Sequence, residues 1–295
     1  MLSSLYRKIV PLPVRQSVYD FFLGKVLFLA RNFKVVARSK TTFLLQFILP
    51  KNELNKAYAF MGKYGITSYP HPYMLEYANK KFQVFRDKEK QLPFVLHANK
   101  RLYFPSFYTD EKVVKDYRAL LIEQDERAAH RYVHSYNDLK NKTLLDIGSA
   151  EGIFSLDTIE LVNHVYLFEC MEHWQKPLRA TFANWSEKVT IVPKYVGNKT
   201  EGNFITIDEF MAGKPMDALF IKMDIEGAER MALAGAIKVV SQGKNNQAAI
   251  CTYHRVGDPE FINDFFKSKG YSTEFSEGLM YWNKRLSKGI LRARN

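Results

Sequence analysis

The chain has 295 residues, 46% of them hydrophobic and 25% charged, with a formal net charge of +12. That length supplies a core for one large domain or two smaller ones, and the composition excludes a disordered chain. Its two cysteines, Cys170 and Cys251, lie in or beside apolar strand-like runs, which argues against a disulfide framework or a metal pair and fits a reducing cytoplasm.

Charge collects at both ends. Residues 1–50 carry Arg7, Lys8, Arg15, Lys25, Arg31, Lys34, Arg38 and Lys40 against Asp20 alone, and the tail carries Lys284, Arg285, Lys288, Arg292 and Arg294 without an acid. Such an excess favours anionic partners. The interleaved aromatics Tyr6, Tyr19, Phe21, Phe22, Phe28 and Phe33 suit an interfacial amphipathic element better than a nucleic-acid groove. The plain alternative is a solvated basic face. Lys25 interrupts the longest apolar run, and no stretch reaches the ~18 uncharged residues that a membrane span needs. No small-residue cleavage site follows it. The expectation is a cytoplasmic protein, soluble or peripheral on the inner face of an anionic membrane.

Residues 14–66 read mainly helical, with a stop at Pro50 and a break from Gly62 to Gly65. Tyr69-Pro70-His71-Pro72-Tyr73 makes a rigid joint. Three β-like runs follow at Phe82–Phe85, Phe94–Leu96 and Leu102–Phe104, with a hairpin loop over His97–Arg101 centred on Asn99. Thr109-Asp110-Glu111 then opens a helix that the pattern carries to about Ser135. Strand-like segments near 143–147, 164–169, 189–196, 218–225 and 247–254 alternate with helical ones, and a β-rich end follows Tyr271. This alternation predicts a doubly wound, mostly parallel α/β sheet over residues 110–295. Residues 1–109 form an accessory region of helices and a β-hairpin.

The strand Leu144–Ile147 breaks into Gly148-Ser149-Ala150-Glu151-Gly152, and apolar residues then recur at helical spacing. Strand, glycine turn and helix in this order build nucleotide sites in open α/β sheets. About twenty residues on, His164–Phe168 ends in Glu169, an acid placed to accept hydrogen bonds from both ribose hydroxyls of an adenosine. The turn lacks the middle glycine of G-x-G-x-x-G, and Glu151 stands where a pyrophosphate would need positive potential. A cationic, phosphate-free ligand such as S-adenosylmethionine fits better than NAD, and Asp146 could meet its ammonium group. Asp146, Glu169, Gly197, Asp224 with Glu226, and His254 fall at five successive strand ends, where parallel sheets place their sites.

Together with the second strong motif, Ala218–Glu229, these residues give a chain that resembles the FkbM-type family of S-adenosylmethionine-dependent methyltransferases, class I enzymes of Rossmann-like fold. The resemblance covers about residues 120–270 and rests on LLDIGSAEGIFS, YLFE, ITIDEF and FIKMDIEGAERMALAGA. The family carries an asparagine where Ala150 and Glu151 stand, and a proline where Cys170 stands. The resemblance implies a cofactor framed by Asp146, Gly148, Ser149, Glu151 and Gly152, with Glu169 on its ribose and Cys170 and Gly197 nearby. It also implies O-methylation, with a sugar or other small-molecule hydroxyl as acceptor. Asp224, Glu226 and His254 are the candidate catalytic groups, because a hydroxyl acceptor needs positioning and a base.

Asp224 with Glu226 is a thin set for a divalent ion, so no metal site is expected. His130 and His134 share a face of the predicted helix and read as solvated. The stretches Glu123–Asp125 and His130–Tyr132 precede the first strand and could close over the cofactor. An NAD-dependent oxidoreductase and a non-catalytic adaptor for glycan or membrane stay open as alternatives. Acceptor and oligomeric state are left open by the sequence.

Overall fold

The computed structural model describes residues 25–295; the amphipathic elements expected within residues 1–24 lie outside them. The chain divides into two compact units after Pro70. In the first, α1 (Lys25–Leu44) packs on α2 (Glu53–Tyr64). Pro50 separates them as expected, and the Asn52 side chain caps α2 by accepting from Asn55 N–H at 2.9 Å. Val35, Ser39 and Thr42 on α1 and Ala57, Tyr58 and Met61 on α2 are buried, and Arg38 stacks over the Tyr58 ring at 4.2 Å. Contact is so close at Gly62 that a Cβ would collide with the Ser39 carbonyl.

The second unit opens with β1 (Phe85–Asp87), β2 (Leu92–His97), β3 (Lys100–Tyr103) and α3 (Asp110–Glu123). Then come β4 (Thr143–Ile147), α4 (Ile153–Thr158), β5 (His164–Phe168), α5 (Glu172–Thr181) and β6 (Val189–Val192). The short β7 (Tyr195–Val196), β8 (Phe204–Ile205) and α6 (Ile207–Phe210) lead into β9 (Leu219–Met223), α7 (Glu229–Ala234), α8 (Ile237–Gln242) and β10 (Gln247–Cys251). The chain finishes with α9 (Asp258–Ser268), β11 (Ser272–Phe275), β12 (Met280–Trp282), β13 (Arg285–Ser287) and β14 (Ile290–Arg294).

One seven-stranded sheet, in the order β11-β14-β10-β9-β4-β5-β6, carries the unit. The run from β10 to β6 is parallel, and β14 is inserted antiparallel between β10 and β11. The α/β architecture is therefore the one expected. Residues Leu144 to Ile147 of β4 and all of β9 are buried, as central parallel strands must be. Chain order reverses between β4 and β9, so a crevice opens beyond their carboxyl ends. Residues 148 and 224 stand there.

Four expectations are corrected. The helix begun at Asp110 stops at Glu123, well short of Ser135. Asp125 takes the Arg127 amide (2.9 Å) and guanidinium (2.8 Å), and Arg131 donates to Gln124 O (2.6 Å), so side chains replace the helical ladder. The strand read over 189–196 breaks at Pro193, which has no N–H to give a ladder, and Tyr195–Val196 pairs with β8 instead. The hairpin, assigned from sequence to the accessory region ending at 109, belongs to the second unit. Tyr103 N–H donates to Thr181 Oγ1 (3.0 Å), and His97 pairs with Asp157 (2.7 Å). Its turn is Ala98-Asn99, both at positive φ (47° and 64°), the geometry that matches strand twist. No strand forms over Phe82–Val84.

Candidate functional site

The turn after β4 is shaped first by its neighbours. Gly148 has φ +80°, and a Cβ there would strike the carbonyl oxygen of Asp224. The ends of β4 and β9 thus meet at a glycine. Gly152 also has φ +80° and packs under Phe182. Between them Ala150 adopts φ 45°, a left-handed conformation that a non-glycine residue holds only under constraint. Glu169 supplies that constraint. Its Oε2 accepts from Ala150 N–H at 2.9 Å and its Oε1 from Met171 N–H at 2.7 Å, so a buried carboxylate ties the turn to the end of β5. The same oxygens retain lone pairs for a second donor such as a ribose hydroxyl. Ser149 Oγ is buried without a hydrogen-bond partner among the described residues. An orphaned hydroxyl in a strained glycine turn beside an anchored acid fits an adenosine-bearing cofactor.

Two of the expected cofactor roles change. Asp146 and Lys222 are direct partners in the β4–β9 register, and Lys222 Nζ lies 2.9 Å from Asp146 Oδ1. Asp146 also accepts from Ser155 Oγ at 2.6 Å, and Lys222 donates to Gly148 O at 2.6 Å. Both charges are buried. Asp146 therefore braces the turn from beneath, and Lys222 already meets its charge. Glu151 is buried as well, and desolvation pushes its carboxyl up to about 8. At neutral pH it holds its proton, so its effect on a pyrophosphate is not the charge repulsion read from sequence.

Gly197 directly follows β7, where its N–H donates to Ile205 O at 3.0 Å and its carbonyl packs against Gly235. Cys170 follows Glu169 and is half-buried, and burial raises its thiol. A protonated thiol there is a packing group.

Beyond β9 the side chains converge. Asp224 Oδ2 accepts from Tyr132 OH (3.1 Å) and lies 3.3 Å from His130 Nε2, while its Oδ1 lies 3.6 Å from His254 Nε2. Burial alone would raise the Asp224 carboxyl. The His130 hydrogen bond and the charges of His130, Lys222 and His254 override it and hold the group well below the usual carboxylate range. Such an acid stays ionised and is a poor proton acceptor.

His254 is set differently. Its Nδ1 bonds Glu229 Oε1 at 2.8 Å, and that oxygen also accepts from Ile225 N–H at 3.1 Å. Nε2 is buried, makes no hydrogen bond among the described residues, and faces Asp224 and Glu226 (Oε2, 3.7 Å). Burial opposes a charge on this ring, yet the Glu229 bond and the carboxylates of Asp224, Glu229 and Glu226 raise it above the ordinary imidazole value. Glu226 stands on a left-handed backbone, φ 56°, with its side chain exposed. The structure thus brings the three candidate catalytic residues together at the mouth of the crevice.

Lys222 and Glu229 were not assigned to this site by sequence, whereas His130–Tyr132 was read as a stretch that could close over the cofactor. His130 is buried rather than solvated and contacts Tyr253 OH (2.9 Å), Cys251 Sγ (3.6 Å) and Asp224. His134 alone is exposed, between Glu274 and Arg292. Tyr132 and Lys222 complete the ring around Asp224, and Glu229 orients His254. Lys222 had a readable signal, as the one charge in a five-residue strand opposite the one charge of β4. Two groups, His130–Asp224–Cys251 and Asp224–Glu229–His254, bring metal-ligating atoms within 4.8 Å of one another. In the second, Nδ1 of the histidine and Oε1 of Glu229 already bond each other.

The model of the methyltransferase FkbM domain matches residues 110–273. No curated protein sequence matches the chain. Among solved structures, methyltransferase FkbM of Methylobacillus flagellatus is similar at 21% identity and a TM-score of 0.42, over 63% of this chain and 55% of its own. Magnesium protoporphyrin IX methyltransferase of Synechocystis, solved with bound SAM, is similar at 15% identity and a TM-score of 0.41, over 64% of this chain and 86% of its own. A Streptococcus mutans methyltransferase in complex with SAH aligns at 14% identity and a TM-score of 0.36, over 54% and 94%. The chain spans little more than half the length of the first of these.

Proposed function

Given that the chain belongs to the FkbM methyltransferase family, with S-adenosylmethionine as methyl donor, we propose that it methylates a hydroxyl on a glycan or related small molecule. When bound, the cofactor supplies an electrophilic methyl group on a sulfonium centre. Glu169 and the turn Gly148–Gly152 would hold its adenosine end, with Ser149 Oγ available to a polar group of the ligand. His254 takes the proton of the acceptor hydroxyl at Nε2 as the oxygen attacks, and Asp224 with Glu229 stabilises the imidazolium that results. Tyr132 and His130 hold Asp224 in place. Glu226, exposed at the rim, would meet the acceptor.

The observation that carries this reading is the pairing of His254 Nδ1 with Glu229 Oε1 at 2.8 Å, which aims a buried, unbonded Nε2 at Asp224 and Glu226. A base oriented by a carboxylate is what a hydroxyl acceptor requires. The free thiols Cys170 and Cys251 accord with work in a reducing cytoplasm.

Screening hydroxylated glycans and small molecules with labelled S-adenosylmethionine tests the proposal. The expected result is label incorporated as a methyl ether and lost in His254→Asn, while calorimetry still detects S-adenosylhomocysteine. Binding of NAD with no binding of S-adenosylhomocysteine would overturn it, as would full turnover in His254→Asn.

A further inference from the structure

The first unit carries a surface that the methyl-transfer reading does not use. Bulky apolar side chains at the end of α1 and in the connection after it are strongly exposed: Phe47 is 89% exposed, Ile48 79% and Leu44 74%. Leu45 is exposed beside them. On α1 itself Leu29, Phe33 and Leu44 lie within about 60° of one another around the helix axis, and all three face solvent. Water-facing apolar groups are ordinary when scattered, but a contiguous strip of this kind marks a docking surface. The strip is not a packing defect in a loose element. Its opposite face buries Val35, Ser39 and Thr42, and Ser39 approaches α2 closely enough that Gly62 tolerates no Cβ.

Charge names the occupant. Residues 25–70 hold eight Lys and Arg against Glu53 alone. Lys34 and Lys40 are exposed on α1 and Lys51 on the connection, next to the apolar side chains. Apolar side chains to bury and cations to meet phosphates, on one rigid helix pair, match an anionic lipid surface. No described helix is long and apolar enough to cross a membrane, which agrees with an element that lies in the interface.

We infer that the helix pair Lys25–Tyr64 docks the protein on an anionic bilayer, with Leu44, Leu45, Phe47 and Ile48 entering the headgroup and acyl boundary and the flanking lysines meeting lipid phosphates. This goes beyond the methyl-transfer proposal and does not depend on it.

Sedimentation of the full chain with sucrose-loaded vesicles tests it, comparing phosphatidylcholine alone with phosphatidylcholine containing about 30% phosphatidylserine. The protein is expected to pellet with the anionic vesicles and to release as salt rises. Phe47→Ser/Ile48→Ser is expected to lower the partition coefficient roughly 100-fold, and Lys34→Glu/Lys40→Glu to abolish the preference for phosphatidylserine. Both pairs are exposed, and retained S-adenosylhomocysteine binding with an unchanged circular dichroism spectrum shows that the fold survives. Equal binding of wild type and Phe47→Ser/Ile48→Ser would overturn the inserted strip and leave surface charge alone. Failure to bind either vesicle, with a dimer in light scattering that Phe47→Ser/Ile48→Ser makes monomeric, would assign the strip to a second copy and overturn it as well.

Discussion

The glycine turn after β4 and the acid-rich corner after β9 stand at the ends of adjacent strands, yet they are built in opposite ways. The turn is contiguous, nine residues from Leu144 to Gly152, and its shape is held by backbone: two glycines at φ +80°, Ala150 in the left-handed region, and amides bonded to Glu169. The corner is assembled from side chains of four separate segments, with His130 and Tyr132 before β4, Lys222 and Asp224 on and after β9, Glu229 on α7 and His254 after β10. A backbone site resists substitution wherever a Cβ enters. A side-chain site fails one charge at a time.

The contrast can be broken or sharpened by mutation, starting where the effect is greatest. Gly148→Ala places a methyl group against the Asp224 carbonyl at a φ that L residues avoid, so we expect a loss of about 4 kcal/mol or more in chemical denaturation. Gly197→Ala is the control. Its Cβ would meet only Phe204 Cδ1 at 3.4 Å, and a loss under about 1 kcal/mol is expected. Equal losses would mean that close approach is not what selects glycine at 148.

Lys222→Met leaves the buried Asp146 carboxyl without its partner, at a cost of about 3–5 kcal/mol. Adding Asp146→Asn should restore most of that stability in a double-mutant cycle. If the double variant is as unstable as the single one, the pair is not the brace described above.

His254→Asn should lower kcat by roughly 10²–10⁴-fold with little change in cofactor affinity. The base must be unprotonated to act, so activity rises with pH through the His254 pKa, which lies above the ordinary imidazole value. Glu229→Gln removes one stabiliser of the imidazolium. It should therefore move that rising limb to lower pH, a shift that a purely structural role for Glu229 would not produce.

A pH dependence is expected at Glu151. Its folded pKa is about 8 against 4.5 for the free group, so between those values the folded state binds more protons than the unfolded one. Stability contributed by this proton is present below pH 4.5 and is lost as pH rises toward 8. Relative to Glu151→Gln, wild-type stability should fall across that interval in denaturation measured at successive pH values. A flat difference would show that the side chain ionises on contact with water.

How much of this was legible in the chain follows the same division. Strand β4 coincides with the run read at 143–147, and the glycine turn, Glu169 and the alternating order of β5 to β10 are all local patterns of period and turn chemistry. Tertiary contacts overrode local pattern at Arg127–Ser135, where apolar and basic residues continue a helical rhythm but Asp125 and Arg131 draw off the backbone hydrogen bonds. His130 was misplaced for that reason alone: on a helix it would face solvent with His134, and off the helix it is buried against Asp224.

By itself, then, the sequence determined the elements whose signals lie within one stretch of chain: the parallel strands, the glycine turn after β4, and the acid that follows β5. Only the tertiary structure decided which charges meet. It pairs Asp146 with Lys222 by sheet register, buries the Glu151 carboxyl so that it holds its proton, and turns His254 toward Asp224 by anchoring its other nitrogen on Glu229. The physical reason is distance dependence. Backbone conformation is set by neighbours along the chain, whereas the charge state and direction of a side chain are set by whatever dielectric and partners the fold brings within a few ångströms of it.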